Sequence, residues 1–442
     1  MAYISGEARE QVTMFPLTLD EFIPGDHACR VIEAFVGRLA MHELGFVRAE
    51  PAETGRPGYD PRDLLRLYLY GYMNQVRSSR RLEAECRRNV EVMWLLGRLQ
   101  PDHKSIAEFR RLHREAVQEA SVELVRLARE AGLVRGEWVA IDGSKFRAVS
   151  SAQRLKEREA VQRYLEEMDA ADAQDEVVID HSRMQAALEK LQRDPEPEAQ
   201  FMRTSEGKRP AYNVQAAVEA ECGIIVVAKV TTEHNDERSL LPMAEAAQQA
   251  VGRPATLHVV ADAGYSNGEQ AAACEQRGIE PHVPVQRSVN HHGDGTLFDR
   301  SEFHYDEASD TMRCPAGQSL RRQKVKRGGR EVAYVGQKAV CGACPLRGCC
   351  TTAARRTVTR HGYEAALART RQRATGEVMR LRRCLVERVF AALKFGIFGH
   401  PRFLLRGQSG AQTEISLATM GYNLKRMIAV LGGGGVRAAL VT

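Results

Sequence analysis

Apolar and polar positions change their period along the chain near residue 137. Before it, apolar residues recur every three or four positions, the spacing that buries one side of a helix. In "DPRDLLRLYLYGYMNQ", Leu64, Leu65, Tyr68 and Leu69 form such a face. Asp60 is a good N-cap there, and Pro61 suits the first helical position. "SSRRLEAECRRNVEVMWLLG" and "SIAEFRRLHREAVQEASVELVRLAREAG" read as further helices, the second opened by Ser105 and Glu108 at capping-box spacing. After it come the β-rich runs "WVAIDGS", "FRAV", "AYNVQAAVEA" and "GIIVVAKVTT". Helical "RSLLPMAEAAQQAVG", strand "TLHVVADAGY", helical "GEQAAACEQRG" and strand "EPHVPV" follow. That order predicts an α/β core with a mixed sheet, not a doubly wound parallel one.

Two stretches interrupt this core. Residues 151–195 carry eleven acids against seven bases between Arg154 and Asp194, a pattern that fits a solvated helical hairpin. Residues 287–362 are turn-rich and basic, with eleven Lys/Arg and one acid, Glu331, from Arg321 to Arg360. A long helical pattern then runs from about Tyr363 to Lys394. The last helix, "AQTEISLATMGYNLKRMIAVLG", is ended by the glycine run Gly432–Gly435. The chain divides accordingly into a helical domain, 1–135, an interrupted α/β domain, 136–430, and a flexible tail, 431–442.

Composition narrows the setting. The 442 residues are 43% apolar, enough for two or three domains with a real core. No apolar run reaches the ~20 residues of a membrane span. The start, "MAYISGEAREQVTMFP", lacks the charged-then-apolar pattern of a secretory signal. These features predict a cytoplasmic protein with reduced thiols. The net charge of +6 is modest but uneven: from Arg62 to Glu115 there are twelve Lys/Arg against seven Asp/Glu. Two readings fit that excess, a solvated helical bundle or a helix-turn-helix-like DNA reader with arginines facing phosphates. No glycine-rich phosphate loop follows any strand.

Two core strands end on an acid, "VAID" at Asp142 and "VVAD" at Asp262. Alone, each reads as a turn residue. On the late helix, "RCLVERVFAALKF" places Arg383, Glu387 and Lys394 four and seven residues apart. At ~100° per residue they lie within about 40° of one another. Val386, Val389, Phe390 and Leu393 form the apolar face. In isolation the polar stripe is an ion-pair ladder. Beside two strand-end acids, Glu387 completes a set of hard oxygen ligands for two divalent ions about 3.5–4 Å apart, as phosphodiester cleavage requires. Lys394 and Arg383 are then placed to meet phosphates.

Half of the ten cysteines lie between Cys314 and Cys350. Cys341 and Cys344 form a CxxC, Cys350 follows, and Cys314 lies upstream of a predicted hairpin. Four such thiolates suit tetrahedral zinc, with Cys349 an alternative to Cys350, or they are reduced and unligated. Cys29, Cys86, Cys222, Cys274 and Cys384 read as isolated buried thiols.

The motifs "IDGSKF", "YNVQAAV", "VVADAGYSN", "CPAG" followed by "CGACPLRGCC", and "VERVFAALKFG" occur in that order. Together they resemble bacterial insertion-sequence transposases of the DDE type. "GRPGYDPRDLLRLYLYGY" with "PDHKSIAEFRR" resembles the helical domain that precedes the catalytic domain in that family. The resemblance spans roughly residues 15–430. It implies an RNase H-like catalytic domain whose metal-binding triad is Asp142, Asp262 and Glu387. The implied ions are Mg²⁺ or Mn²⁺ at the triad and structural Zn²⁺ at Cys314, Cys341, Cys344 and Cys350. It also implies phosphate contacts at Lys145, Arg383 and Lys394. Relatives often carry a tyrosine three residues before that arginine, where Arg380 stands here. Asp236, in "TTEHNDERS", is expected to cap the helix that starts near Ser239.

The implied substrates are double-stranded transposon ends, bound at terminal inverted repeats, and target DNA. The implied reaction is hydrolysis that exposes a 3′-hydroxyl, then attack of that hydroxyl on target DNA. Chemistry at two ends implies a homodimer on DNA, with no membrane partner. Two alternatives share these motifs: a stand-alone metal-dependent nuclease, and a transposase-derived DNA-binding protein without catalysis.

Overall fold

A computed structural model of the chain describes residues 18–50, 58–172, 181–192, 194–284, 297–326 and 331–441. The N-terminal "MAYISGEAREQVTMFP", residues 173–180 of the expected hairpin, and residues 287–296 and 327–330 of the basic insertion lie outside the described residues.

Six helices come first: α1 (Ala28–Arg38), α2 (Pro61–Met73), α3 (Ser79–Arg88), α4 (Val90–Leu95), α5 (His103–Leu112) and α6 (Arg114–Glu130). The start of α2 follows its sequence. The Asp60 carboxylate accepts from the Arg62 amide at 2.8 Å, and Leu64, Leu65, Tyr68 and Leu69 are buried. The Tyr68 hydroxyl donates to the Ile106 carbonyl at 2.7 Å and ties α5 to α2. The Ser105–Glu108 capping box does not form. Asp102 caps α5, accepting from the Lys104 and Ser105 amides at 2.8 and 3.0 Å, and the Ser105 hydroxyl also donates to it. A carboxylate at that position gains from the helix dipole as well as the hydrogen bonds.

The α/β part follows with β1 (Trp138–Arg147), α7 (Ala152–Asp172), α8 (His181–Gln192), β2 (Gln200–Thr204), β3 (Gly207–Glu219), β4 (Ile225–Thr231), α9 (Leu240–Ala250), β5 (Leu257–Val260), α10 (Gly268–Gln276) and β6 (Ile279–His282). The sheet runs β4-β3-β1-β5-β6, with β2 beside the first half of β3. β1 is antiparallel to β3 and parallel to β5, and β5 is parallel to β6. This is an RNase H-like mixed sheet. Val139, Ala140 and Ile141 are buried, as a central strand covered on both faces requires.

One expectation about β1 is corrected. Asp142 does not end the strand: β1 stays paired with β3 through Arg147, and Asp142 faces Ala216 there. What ends is the ladder with β5, whose last pair is Ala140 with Val260. The two strands part just where Asp142 and Asp262 follow, so both acids gain open space without β1 stopping.

The cysteine-bearing insertion forms a separate antiparallel meander of β7 (His304–Asp306), β8 (Thr311–Arg313), β9 (Ser319–Lys326), β10 (Glu331–Val335) and β11 (Thr357–His361), with α11 (Lys338–Gly342) before the last strand. Its small core is Phe303, Met312, Leu320, Tyr334 and Val358.

The late helical pattern is split by Thr375 into α12 (Glu364–Arg373) and α13 (Gly376–Ala391), followed by a π-helical turn, Ala392–Ile397. α14 (Gln408–Val441) packs on α1, α2, α6 and β4. Its Glu414 is buried and pairs with Arg77 at 3.0 Å. The helical region and the sheet thereby share one hydrophobic core. Gly432, at φ 71° and ψ 161°, breaks the helical path. The glycine run therefore ends one segment, but a second begins at once. Residues 433–441 are not a flexible tail: Val436 and Leu440 are buried, and Arg437 donates to the Gly25 carbonyl at 2.7 Å. A Cβ on Gly433 would lie 1.8 Å from the Asp26 carbonyl oxygen. Among the described residues, no helix is long and apolar enough to cross a membrane.

Candidate active site

Asp142 and Asp262 are brought together where β1 and β5 diverge. Nη2 of Arg382 on α13 lies 2.8 Å from Asp142 Oδ1 and 3.5 Å from Asp262 Oδ2. Each acid also binds nearby backbone, Asp142 accepting from the Gly143 amide at 2.9 Å and Asp262 from the Gly264 amide at 2.8 Å. The turn reading holds at Asp262, which opens the short turn Ala263–Tyr265, and not at Asp142, which stays within β1. Arg382 was not singled out in the sequence, yet its signal is there. It stands four, seven and eleven residues before Val386, Val389 and Leu393, so it extends the buried stripe of α13.

Asp236 is a third acid in this site, and its expected capping role is not observed. Its Oδ1 accepts from Asn213 Nδ2 at 2.7 Å and Gln215 Nε2 at 2.6 Å, and lies 3.6 Å from Lys145 Nζ. The Ser239 side chain makes no cap bond to α9, and the Leu241 amide donates instead to Gln270 Oε1 at 3.0 Å. Gln215 in turn accepts from the buried Tyr265 hydroxyl. Asn213 and Gln215 are fully buried, alternate residues of β3. Two amides in the buried stretch of β3 were the available signal, since buried polar groups demand partners. Gly143 is required by this packing: a Cβ there would meet Gln215 Nε2 at 2.3 Å and Asp236 Oδ1 at 2.5 Å.

The charges interact strongly. The Asp142 carboxyl is pushed up to about 6, mainly by burial, with Arg382 opposing and Asp262 adding to the rise. Burial pushes the Tyr265 hydroxyl well up, reinforced by Asp236, Asp142 and Asp262. Burial lowers Lys145, against Asp236, and lowers Lys394, against Asp142. Lys394 Nζ sits 5.6 Å from the centroid of the Phe146 ring.

Glu387 and Arg383 are exposed. Glu387 lies about 140° round α13 from Arg382. The structure does not link it to Asp142 or Asp262 by any hydrogen bond or ion pair among the described residues.

In the insertion, Cys314, Cys341, Cys344 and Cys350 line one cavity of about 320 Å³, while Cys349 is exposed outside it. Burial pushes the Cys350 thiol up; Arg356 opposes, and the three other thiols add to the rise. Of the five cysteines expected to be buried, Cys29, Cys86 and Cys274 are, Cys222 is partly so, and Cys384 is exposed. Many N-terminal arginines are committed within the helices. Arg66 pairs with Asp63, Arg87 with Glu83, Arg88 with Glu85 and Arg111 with Glu108. Arg313, Arg321, Arg322 and Arg347 of the insertion are exposed.

A family model described as "Transposase DDE domain" matches residues 172–424, more than half of the chain. The chain belongs to the DDE transposase family. This transposase also matches a "Transposase domain (DUF772)" model over residues 17–112, which holds α1–α5. The DDE match takes in Asp236, Asp262, Arg382 and Glu387 and begins beyond Asp142 and Lys145. Members are divalent-metal-dependent enzymes that act on DNA, cleaving phosphodiesters and transferring strands. Among solved structures, a piggyBac transposase synaptic complex with hairpin DNA aligns over 93% of this chain and 79% of its own, at 8% identity and a TM-score of 0.33. No curated protein matches the chain.

Proposed function

We propose that this transposase binds the terminal inverted repeats of an insertion sequence and uses Asp142, Asp262 and Glu387 to hold Mg²⁺ or Mn²⁺ at the scissile phosphate. The observation that carries this reading is the single guanidinium nitrogen shared by Asp142 and Asp262. A cation already bridges the pair, and both groups it bridges are carboxylates, the hard oxygen donors that Mg²⁺ prefers. When bound, the metal supplies Lewis-acid stabilisation of charge on the attacking and leaving oxygens.

The protein's own residues do the rest. Arg382 holds the two acids in place while no divalent ion is bound. Asp236 is fixed by Asn213 and Gln215 and keeps Lys145 at the site. Lys145, Lys394 and the exposed Arg383 are the phosphate contacts. Glu387, exposed on the same helix as Arg382, is the third carboxylate that would complete the set.

The exposed bases of the insertion and of the N-terminal helices carry the DNA backbone together: Arg87, Arg88 and Arg111 stay exposed beside their acids, as Arg322 does beside Asp310. Zn²⁺ at Cys314, Cys341, Cys344 and Cys350 gives the insertion the folding energy that a five-residue core lacks. Two ends handled together require a homodimer on DNA, acting in the cytoplasm at the nucleoid.

The test is strand transfer. Purified protein with Mg²⁺ and a pre-cut element end should join that end to plasmid DNA. Cutting of the end without any joined product would make the protein a nuclease on the same fold and refute the proposal.

A further inference from the structure

A second cluster of metal-ligating side chains lies on the same sheet, back along the strands from the acids. His258 on β5 faces Trp138 on β1 and Glu280 on β6 in register, and His282 lies two residues beyond Glu280. His258 Nδ1 is 3.2 Å from His282 Nε2 and 3.4 Å from Glu280 Oε2. One ligand atom from each of the three lies within 4.8 Å of the other two. Ligands about 2.0–2.1 Å from a tetrahedral ion stand about 3.3 Å apart. The two measured separations match that edge.

The surroundings fit a ligand set. His282 Nδ1 lies 3.1 Å from the Arg373 carbonyl, which can only accept. Nδ1 therefore carries the ring proton, and the Nε2 lone pair points at His258. A backbone carbonyl that fixes the tautomer in this way is the usual outer partner of a metal-bound histidine. Trp138 stacks on the His258 ring at 4.3 Å and limits its rotation. Arg373 reaches to 4.0 Å from Glu280, but its guanidinium is held by Glu275 at 2.8 Å.

The geometry points to a Zn²⁺-class site at His258, Glu280 and His282, which supply three ligands among the described residues. Two imidazoles and a carboxylate select a borderline ion such as Zn²⁺ over Mg²⁺. His258 precedes Asp262 by four residues, about 13 Å along an extended strand, so this ion is separate from the catalytic ones. Through His282 and the Arg373 carbonyl it ties the β5–β6 edge to the end of α12, three residues before α13 begins. Its role is to fix the helix that carries Arg382 and Glu387.

The test uses full-length protein with Cys341→Ser and Cys344→Ser, so that the insertion contributes no zinc, and with Trp94→Phe, so that Trp138 is the sole tryptophan. Equilibrium dialysis against Zn²⁺ in excess Mg²⁺ should find one equivalent bound, unaffected by Asp142→Asn. Co²⁺ should quench the Trp138 fluorescence with the same stoichiometry. His258→Ala should abolish both signals, and the partly exposed Glu280→Gln should weaken binding at least tenfold. If His258→Ala does not fold, Glu280→Gln decides alone. No bound equivalent, or one indifferent to the Glu280 substitution, leaves only a hydrogen-bonded histidine pair and overturns the proposal.

Discussion

Replacing Asp142 by Asn should stabilise the metal-free protein at neutral pH while removing its activity. Asp142 is only 17% exposed and lies against a second acid, and its carboxyl titrates at about 6. An unfolded aspartate titrates near 4. Each pH unit of difference is worth 1.36 kcal/mol, so holding Asp142 ionised in the fold costs about 3 kcal/mol. The sign follows from the raised value. The folded state binds the proton more tightly, so this stability is present below about pH 4 and lost as pH rises through about 6.

Asn, neutral like the protonated acid, removes that loss, and the opposing pull of Arg382 is already contained in the raised value. The gain at pH 7.5 is therefore up to about 3 kcal/mol. The pH dependence is the cleaner quantity. Between pH 4.5 and 7.5 the advantage of Asp142→Asn over the wild type should grow by about 2 kcal/mol. Urea unfolding of both proteins with EDTA at the two pH values measures it directly. A difference that stays constant with pH would refute the buried, charge-crowded account of Asp142.

Three further outcomes follow. Asp236→Asn should lower DNA cutting while leaving DNA binding intact, read by end-cleavage and gel-shift assays on the same preparation. It would cut normally if Asp236 only shaped the loop before α9. Cys344→Ser should lower the zinc content of fresh protein and speed proteolysis of the insertion between β7 and β11, whereas Cys349→Ser should change neither. Gly433→Ala should cost about 1–3 kcal/mol in thermal unfolding, because the added methyl meets the Asp26 carbonyl and overpacking forces the backbone to shift. Unchanged stability would mean that residues 433–441 do not hold to α1.

The parts of the fold with local signals were legible. Asp60 and Pro61 marked α2, and the change from helical to alternating pattern marked β1. The order of strands and helices after it predicted a mixed sheet. The parts set by distant contacts were not. A glycine run says that a helix stops, but not that Gly25 and Asp26 wait 400 residues upstream to receive a second segment. At the site, Asp142 and Asp262 were legible because both follow apolar strand runs. Arg382 was missed because "RRC" holds two adjacent arginines, and only the helical phase tells which one faces the acids. Asp236 was misread because its partners, Asn213 and Gln215, lie on β3, and two buried amides signal that they need partners without saying which.

The central claim is that Asp142, Asp262 and Glu387 form one metal site, although the structure joins only the first two. Glu387→Gln tests it most directly, because Glu387 is exposed and the substitution leaves the fold's contacts in place. Mg²⁺-dependent cutting of an element end by Glu387→Gln, measured beside the wild type at equal DNA occupancy, should fall to background. Near-normal cutting by that variant would contradict the account.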